Sequence, residues 1–283
     1  MIKDSVRKPV VAGQFYHSDA GKLKEQLSGF FKNVKTASRS VGVVSPHAGF
    51  MYSGQTAAWA IASLKSARTF IILGPNHNTL GEQFSCFPSG PWETPLGRLE
   101  VNKNIADQLM KSCGFLSGDT DAHAVEHSIE VQLPFLQHRF GRQGFDFVPI
   151  SIMNIDYSEG FAQACEKLGK AIGMVVKSSQ SKTNGPNSIG IIASSDFSHY
   201  VPKVDADAMD KRVVEQILKL DVQGLFKALD SMAASVCGYG PIAVLMAAAR
   251  ALGLKGKPIH NSTSGDITGD NKSVVAYYAI GFE

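Results

Sequence analysis

Five residues able to bind a metal or move a proton lie next to apolar segments of this 283-residue chain. His47, His77 and the pair Asp196 and His199 follow short apolar runs, and Cys237 precedes an Ala-rich run with helical spacing. Histidine is the commonest metal ligand and general base, and a thiolate can bind metal or attack a substrate. We therefore predict one pocket built from these five residues, with metal binding as its first interpretation.

The apolar runs alternate between strand-like and helix-like patterns. Short β-branched runs predict strands at residues 41–45, 69–73, 147–152, 188–193 and 274–282. Helical spacing predicts helices at residues 22–31, 54–64, 103–112, 126–140, 158–176, 204–220, 222–232 and 242–252. This alternation indicates a single α/β domain over residues 1–283, with a mostly parallel or mixed central sheet and helices on both faces.

Some segments leave alternatives open. Pro134 predicts either a kink in the helix at residues 126–140 or a boundary near Leu133. Residues 84–101, rich in Pro and Gly, predict a hairpin or a long loop. Residues 178–188 are polar and predict a loop, the best candidate for a linker.

The position of the pocket follows from the predicted sheet. Ligands of open α/β sheets bind beyond the carboxyl ends of the strands. A single histidine after a strand is more often a surface loop residue. Three such junctions in one chain, at His47, His77 and His199, favour convergence at one edge if their strands are neighbours.

Further residues of the same segments are expected beside the ligands or in a substrate wall. His127 and Glu130 would share a helix face, although Glu126 and Glu130 would also suit the first turn of any helix. The same expectation covers Tyr52, Asn76 and Tyr239.

Cys237 differs from the other three cysteines, Cys86, Cys113 and Cys165, which suit buried structural roles. It stands before a predicted helix, where the helix N-terminus would lower the pKa of the thiol and favour thiolate. Wide cysteine spacings give no sign of a secreted disulfide framework.

Composition narrows the function classes. Hydrophobic residues make up 44% and charged residues 19%, the net charge is +3, and no dense basic run occurs, so nucleic acid is not an expected partner. No membrane segment or signal peptide is apparent, which favours the cytoplasm. The motifs of nucleotide binding, serine hydrolysis and zincin chemistry are absent.

Six segments in order resemble the Memo-like family over nearly the whole chain. They are PVVAGQFY (9–16), SPHAGFMYSG (45–54), LGPNH (73–77), EHSIE (126–130), SDFSHY (195–200) and CGYGPI (237–242). The resemblance implies a fold similar to the class III extradiol dioxygenases, which use non-haem iron. It also implies partners among AMMECR-type and radical-SAM proteins, beside which archaeal and bacterial members are often encoded.

The resemblance assigns roles within the pocket. It implies that His47 and His77 are metal ligands and that Cys237 replaces the carboxylate ligand of the dioxygenases. It implies further that His199 is the catalytic histidine, with Asp196 beside it. A thiolate is softer than a carboxylate, so iron is expected first and copper or zinc are alternatives.

Three functions compete. The first is a metal-dependent redox enzyme of dioxygenase-like type, acting on an unknown small molecule or peptide. The second is a non-catalytic metal carrier or peptide-binding module. The third is a hydrolase in which Cys237 is the nucleophile, paired with His199 and oriented by Asp196.

Overall fold

A mixed sheet runs through the centre of the molecule. This computed structural model describes residues 6–37, 39–141, 144–181 and 188–283. Its strands are β1 (Gly42–Ser45), β2 (Thr69–Pro75), β3 (Phe84–Cys86), β4 (Pro91–Thr94), β5 (Gly97–Glu100), β6 (Ser117–Gly118), β7 (Asp146–Ile152), β8 (Ile189–Ser194), β9 (His199–Val201), β10 (Gly256–Thr263) and β11 (Val274–Phe282). The main sheet has the order β10-β11-β1-β8-β2-β7-β3-β6, β9 pairs with β11, and β4 and β5 form a separate hairpin.

The middle of the sheet is parallel. β1 pairs with β8, β8 with β2, and β2 with β7, all in the same direction. β11 runs antiparallel to β1, and β3 antiparallel to β7, so the sheet is mixed. Every residue of β1, β2 and β8 is buried, which explains their continuous apolar runs: helices cover both faces.

The helices form one layer on each face. They are α1 (Ala20–Lys32), α2 (Phe50–Ser63), α3 (Lys103–Ser112), α4 (Asp121–Ala124), α5 (Gln132–Phe140), α6 (Glu159–Ser181), α7 (Lys203–Lys219), α8 (Val222–Met232), α9 (Tyr239–Leu252) and α10 (Gly265–Thr268). Val43 and Ile72 belong to the core under α1, α2 and α5. Val44 and Ile71 belong to the core under α3 and α6 to α9. Alternate strand residues thus serve opposite faces, and the predicted α/β class with a mixed sheet is confirmed.

The predicted helix at residues 126–140 is wrong in its first part. Residues 128–131 form turns, and α5 begins at Gln132. Pro134 therefore lies in the first turn, where its missing N–H removes no helical hydrogen bond. The alternative of a boundary near Leu133 is confirmed.

Other segments refine the predictions. Residues 84–101 contain β3 and the β4–β5 hairpin, in agreement with the hairpin alternative. α6 continues to Ser181, beyond the start of the predicted polar loop, and residues 182–187 lie outside the described residues. In the described part of the chain, no helix is both long and apolar enough to cross a membrane.

A buried ion pair fixes the segment before α1. The Arg7 guanidinium pairs with Glu130 and also donates to the carbonyl oxygens of His123 and Glu126. Its carbon lies 4.2 Å from the ring centroid of Trp92. The carboxylate of Glu130 accepts further hydrogen bonds from the N–H groups of residues 10 and 11 and from the Tyr16 hydroxyl. One carboxylate therefore holds the chain from residue 7 to residue 16.

We expect Arg7→Met to lower the free energy of unfolding by about 3–5 kcal/mol, because Glu130 would remain buried without its cation. Lys8→Met is the matched control: Lys8 pairs with Glu93 at the surface, and its loss should leave the free energy of unfolding nearly unchanged. Urea unfolding measures both variants. An equal decrease in the free energy of unfolding for the two variants would show that the buried pair contributes no more to stability than the surface pair.

Candidate metal centre

The carboxyl ends of β1, β8 and β2 lie side by side and place three loops at one edge of the sheet. Ser45 pairs with Ser194, and Leu73 pairs with Ala193, so the three strands end almost level. The loops after them carry His47, the pair Asp196 and His199, and His77. The structure thus brings the predicted strand-end residues together.

Cys237 lies at the same edge of the sheet, in the segment that leads into α9. It precedes Gly238, the N-cap of α9. A Cβ at Gly238 would lie 2.3 Å from the carbonyl oxygen of Ser194, so this close approach requires glycine. The thiol Sγ lies 3.2 Å from Nε2 of His47 and accepts the N–H of Asp196 at 3.3 Å.

The hydrogen bonds of Ser194 determine the tautomer of His47. The Ser194 hydroxyl donates to the carbonyl oxygen of Ser128 at 2.7 Å, which uses its only proton. Nε2 of Gln132 donates to the same hydroxyl at 2.9 Å. Nδ1 of His47, 3.0 Å from it, must then be a donor as well. Nε2 of His47 therefore keeps a free lone pair directed at the thiol.

Glu126 has the same effect on His77. Its carboxylate lies 3.0 Å from Nδ1 of His77 and also accepts the backbone N–H of that residue. A carboxylate only accepts, so Nδ1 carries a proton and Nε2 remains for other use. The segment that carries Glu126 packs closely against the end of β2 at Gly74. A Cβ at Gly74 would lie 2.5 Å from Oγ of Ser128.

His199 follows the same pattern with a backbone acceptor. Its Nδ1 lies 2.7 Å from the carbonyl oxygen of Ser235, and its N–H donates to the Ser235 hydroxyl at 2.8 Å. Behind this loop, the buried carboxylate of Asp210 accepts the hydroxyl and the N–H of Ser198. His199 is thus oriented from two sides, and its Nε2 is free.

Burial sets the protonation of the innermost groups. It lowers the pKa of His47 well below its usual value, with help from nearby His77. Burial also raises the pKa of Asp196. The hydrogen bonds that its carboxylate accepts from backbone N–H groups lower this pKa, but by less. His47 is consequently neutral over the physiological range.

The pKa of Cys237 corrects the expectation from the helix N-terminus. Burial raises it well above the usual thiol value, and the carboxylate of Asp196 raises it further. The expected lowering of this pKa at the helix N-terminus is therefore wrong. A thiol of this kind is a poor nucleophile, which argues against the hydrolase hypothesis.

The pKa of His77 moves in the opposite direction. Burial opposes protonation, but the hydrogen bond and charge of Glu126 outweigh it and raise the pKa of His77 above 6.5. Burial likewise opposes ionisation of Glu126, yet its contacts with His77 and His127 hold its pKa well below the usual range. Below the raised pKa of His77 the two side chains form an ion pair, and above it the neutral ring still donates from Nδ1 to Glu126.

Several of the remaining predicted residues lie in or beside the cleft. The His127 ring stacks on His77 at 5.0 Å and meets His47 edge-on at 5.6 Å. Asn76 lines the cleft and also shapes its loop, since its Oδ1 accepts the N–H groups of residues 78 and 79. Tyr239 lines the opposite wall, and its hydroxyl donates to the carbonyl oxygen of Asp156.

Two predicted residues lie away from the cleft. The Glu130 side chain is fully buried against the segment at residues 7–16. Residues 128–131 are turns, so Glu130 does not share a helix face with His127. Tyr52 lies in the first turn of α2, next to Gly49, and is not among the residues that line the cleft.

The sequence reasoning missed some contributors. Asn154 and Tyr157 line the cleft after the carboxyl end of β7, where the rule applied to the other strands would have found them. Ser194 and Gln132 gave no such signal, because their role depends on partners distant in sequence. The cleft has a volume of about 370 Å³, and its lining residues are Pro75, Asn76, His77, Asn154, Tyr157, His199, Ser235, Val236, Cys237 and Tyr239.

His47, His77 and Cys237 can each offer one ligand atom, with all three atoms within 4.8 Å of one another. A site of two imidazole nitrogens and one thiolate fits iron, copper or zinc, and the fixed Nδ1 protons leave the right nitrogens for coordination. The fold and the site therefore define an α/β protein with a candidate His-His-Cys metal centre at the edge of its sheet.

Comparison with known proteins places this architecture in a family. The model of the family described as "Memo-like protein" matches residues 7–281. A MEMO1 family protein of Methanosarcina acetivorans is 41% identical over 281 residues, covering 97% of this chain and 98% of its own. One of Thermoplasma volcanium is 38% identical over 278 residues, covering 97% of each chain. The chain belongs to the Memo-like family, and the resemblance noted in its sequence is confirmed.

Among solved structures, an uncharacterized protein from Escherichia coli K12 matches with a TM-score of 0.49 and 11% identity. The match covers 84% of this chain and 98% of the other.

We expect Glu126→Gln to lower the pKa of His77 in the metal-free protein, because the burial penalty would remain while the attraction of the carboxylate is lost. NMR titration of the His77 ring measures this shift. The raised pKa of His77 contributes stability that is fully present below pH 6.5 and is lost as the pH rises through the higher pKa of folded His77. The variant should therefore show a weaker loss of stability over that range.

Glu82→Gln is the matched control for this prediction, since Glu82 is exposed on the neighbouring loop. It should leave the His77 titration unchanged. An unaltered pKa of His77 in Glu126→Gln would mean that Glu126 does not set its protonation.

Proposed function

We propose that this protein is a metal-dependent redox enzyme of dioxygenase-like type, with iron held by His47, His77 and Cys237. The observation that carries the proposal is the contact of Nδ1 with a buried acceptor in both histidines, at 3.0 Å in each case. Each ring donates a hydrogen bond from Nδ1, which leaves Nε2 for a metal. Histidines that ligate metals are held in this way by a carboxylate, a carbonyl or another fixed partner.

The donor set also bears on the metal. Two imidazoles and a thiolate suit iron, and they suit copper or zinc as alternatives. Bound iron would supply electron transfer and a Lewis-acidic position for a substrate. Asp196 is buried and the residues that line the cleft include neither Lys nor Arg, which favours a cation there, since a buried carboxylate needs a partner.

His199 and Asp196 are the proposed catalytic residues. Nδ1 of His199 is held by a carbonyl oxygen, so Nε2 can take a proton from a substrate and return it later. Asp196 lies within reach of His199 and Cys237, and its negative charge would stabilise the protonated imidazole. Tyr157 and Tyr239 line the cleft in which this transfer would take place.

The substrate belongs to a class that fits an open cleft of this size, a small molecule or a peptide side chain. Family resemblance adds AMMECR-type and radical-SAM proteins as proposed partners. The cytoplasm is the proposed compartment on the grounds given by the sequence.

A non-catalytic metal carrier is the second candidate. The exposure of His77 favours it, since a third of this side chain is open to solvent while His47 is buried. A ligand at the rim could pass a metal to another protein. Partner binding that persists in His47→Ala, without metal, would support a docking module that needs no metal for recognition.

We expect metal-free protein reconstituted anaerobically with Fe(II) to retain iron after desalting, and His47→Ala and Cys237→Ser to lose it. Each change removes a ligand atom. Elemental analysis measures the retained iron. Cys165→Ser is the control, because Cys165 is buried in the core under α6. Equal iron in all four proteins, or none in the wild type, would refute the metal centre.

We expect His199→Gln to retain iron but to lower turnover by about 10²–10⁴-fold, the usual contribution of a general acid–base residue. Oxygen uptake with catechols and small reductants is the measurement. His260→Gln, at a half-buried position beside Trp59, serves as the control. Iron binding in the wild type without turnover on any of these compounds would favour the carrier.

A further inference from the structure

The cleft holds more ligand atoms than one metal ion requires. Besides His47, His77 and Cys237, two overlapping groups each place three ligand atoms within 4.8 Å of one another. One group is His77, Glu126 and His127, and the other is Asp196, His199 and Cys237. The hydrogen bonds within each group determine whether its ligand atoms are free to bind a metal ion.

The group around Glu126 has no free carboxylate. Glu126 accepts from the backbone N–H and Nδ1 of His77 and from Nδ2 of Asn78. It accepts further from the backbone N–H groups of His127 and Ser128. Five donors exceed the roughly four lone-pair positions of a carboxylate. This group orients His77 and does not form a second site.

The group around His199 is different, since every member has a free ligand atom. Nε2 of His199 is free because Nδ1 donates to a carbonyl oxygen. The carboxylate of Asp196 accepts the N–H groups of His47 and Ala48, which leaves lone pairs unused. The sulfur of Cys237 accepts one N–H and can bridge two ions as a thiolate.

The charges around this group favour a cation as well. Asp196 is buried, and Nε2 of the neutral His47 ring lies 4.0 Å from its carboxylate. The residues that line the cleft include neither Lys nor Arg. A carboxylate, an imidazole and a thiolate are the three ligand types that zinc accepts in tetrahedral sites.

We propose that Asp196, His199 and Cys237 bind a second divalent metal ion, with the Cys237 thiolate shared between the two positions. The inference rests on the proposed metal centre at His47, His77 and Cys237. The second ion binds more weakly, because the first already draws charge from the shared thiolate. It also takes the lone pair of His199, so metal in excess blocks proton transfer while the first ion stays bound.

The test is a titration of the metal-free protein with Zn(II) against a chromophoric chelator, with bound zinc counted by elemental analysis. Wild type binds two equivalents in two affinity classes. Asp196→Asn and His199→Gln each keep the tighter equivalent, and the affinity for the weaker one falls by more than about 10-fold. His260→Gln is the matched histidine control and binds two. Circular dichroism verifies that each variant is folded.

The outcomes separate the two proposals. No zinc bound by the wild type overturns the metal centre itself. A single equivalent in the wild type, lost in His47→Ala, leaves that centre and overturns the second position. Two equivalents retained in both Asp196→Asn and His199→Gln place the second ion elsewhere and also overturn it.

Co(II) provides an independent readout of the shared thiolate. The first equivalent gives sulfur-to-metal charge-transfer absorption, and the second changes that band because both ions contact Cys237. In His199→Gln the first band forms and the second change is lost. A second equivalent that leaves the band unaltered overturns the bridge.

Discussion

The parallel pairing of β1, β8 and β2 is the constraint on which the rest of the site depends. Because Ser45 pairs with Ser194 and Leu73 with Ala193, three strands end level, and their loops must share one edge. A shift of one residue would turn alternate side chains to the opposite face and move Ser194 away from His47. The register therefore fixes the geometry of the histidines.

The orientation of the histidine rings in the pocket depends on polar groups that are themselves buried. Ser194 and Glu126 lie in the interior, and each is hydrogen-bonded to several partners from distant parts of the chain. Such networks are costly when one member is missing and rigid when complete. Rigidity in turn keeps Nε2 of His47 directed at Cys237, which a loop histidine on the surface could not achieve.

The sequence predicts the sheet and the strand-end residues well, since apolar runs and the ligands that follow them are local patterns. It fails where orientation depends on distant partners. Glu126 and Glu130 look equivalent on a predicted helix, but the chain turns between them. Glu126 then meets His77, whereas Glu130 meets Arg7, more than a hundred residues away in sequence. No spacing rule separates them.

The thiol of Cys237 illustrates a second limit. The sequence places it before a helix, and the dipole alone would lower its pKa, but its burial beside Asp196 is a tertiary effect that dominates. The sequence does not reveal that the thiol of Cys237 and the carboxyl of Asp196, which are both anionic when ionised, lie next to each other in the fold.

Asp196 is hydrogen-bonded to two of the proposed metal ligands, His47 and Cys237. Its carboxylate accepts the N–H of His47, and its own N–H donates to the sulfur of Cys237. Hydrogen bonds to a metal-bound sulfur withdraw charge from it and tune the metal. In the proposed centre, this residue would therefore limit the electron donation that distinguishes a thiolate from the carboxylate of a dioxygenase. A thiolate moderated in this way would be compatible with the proposed iron.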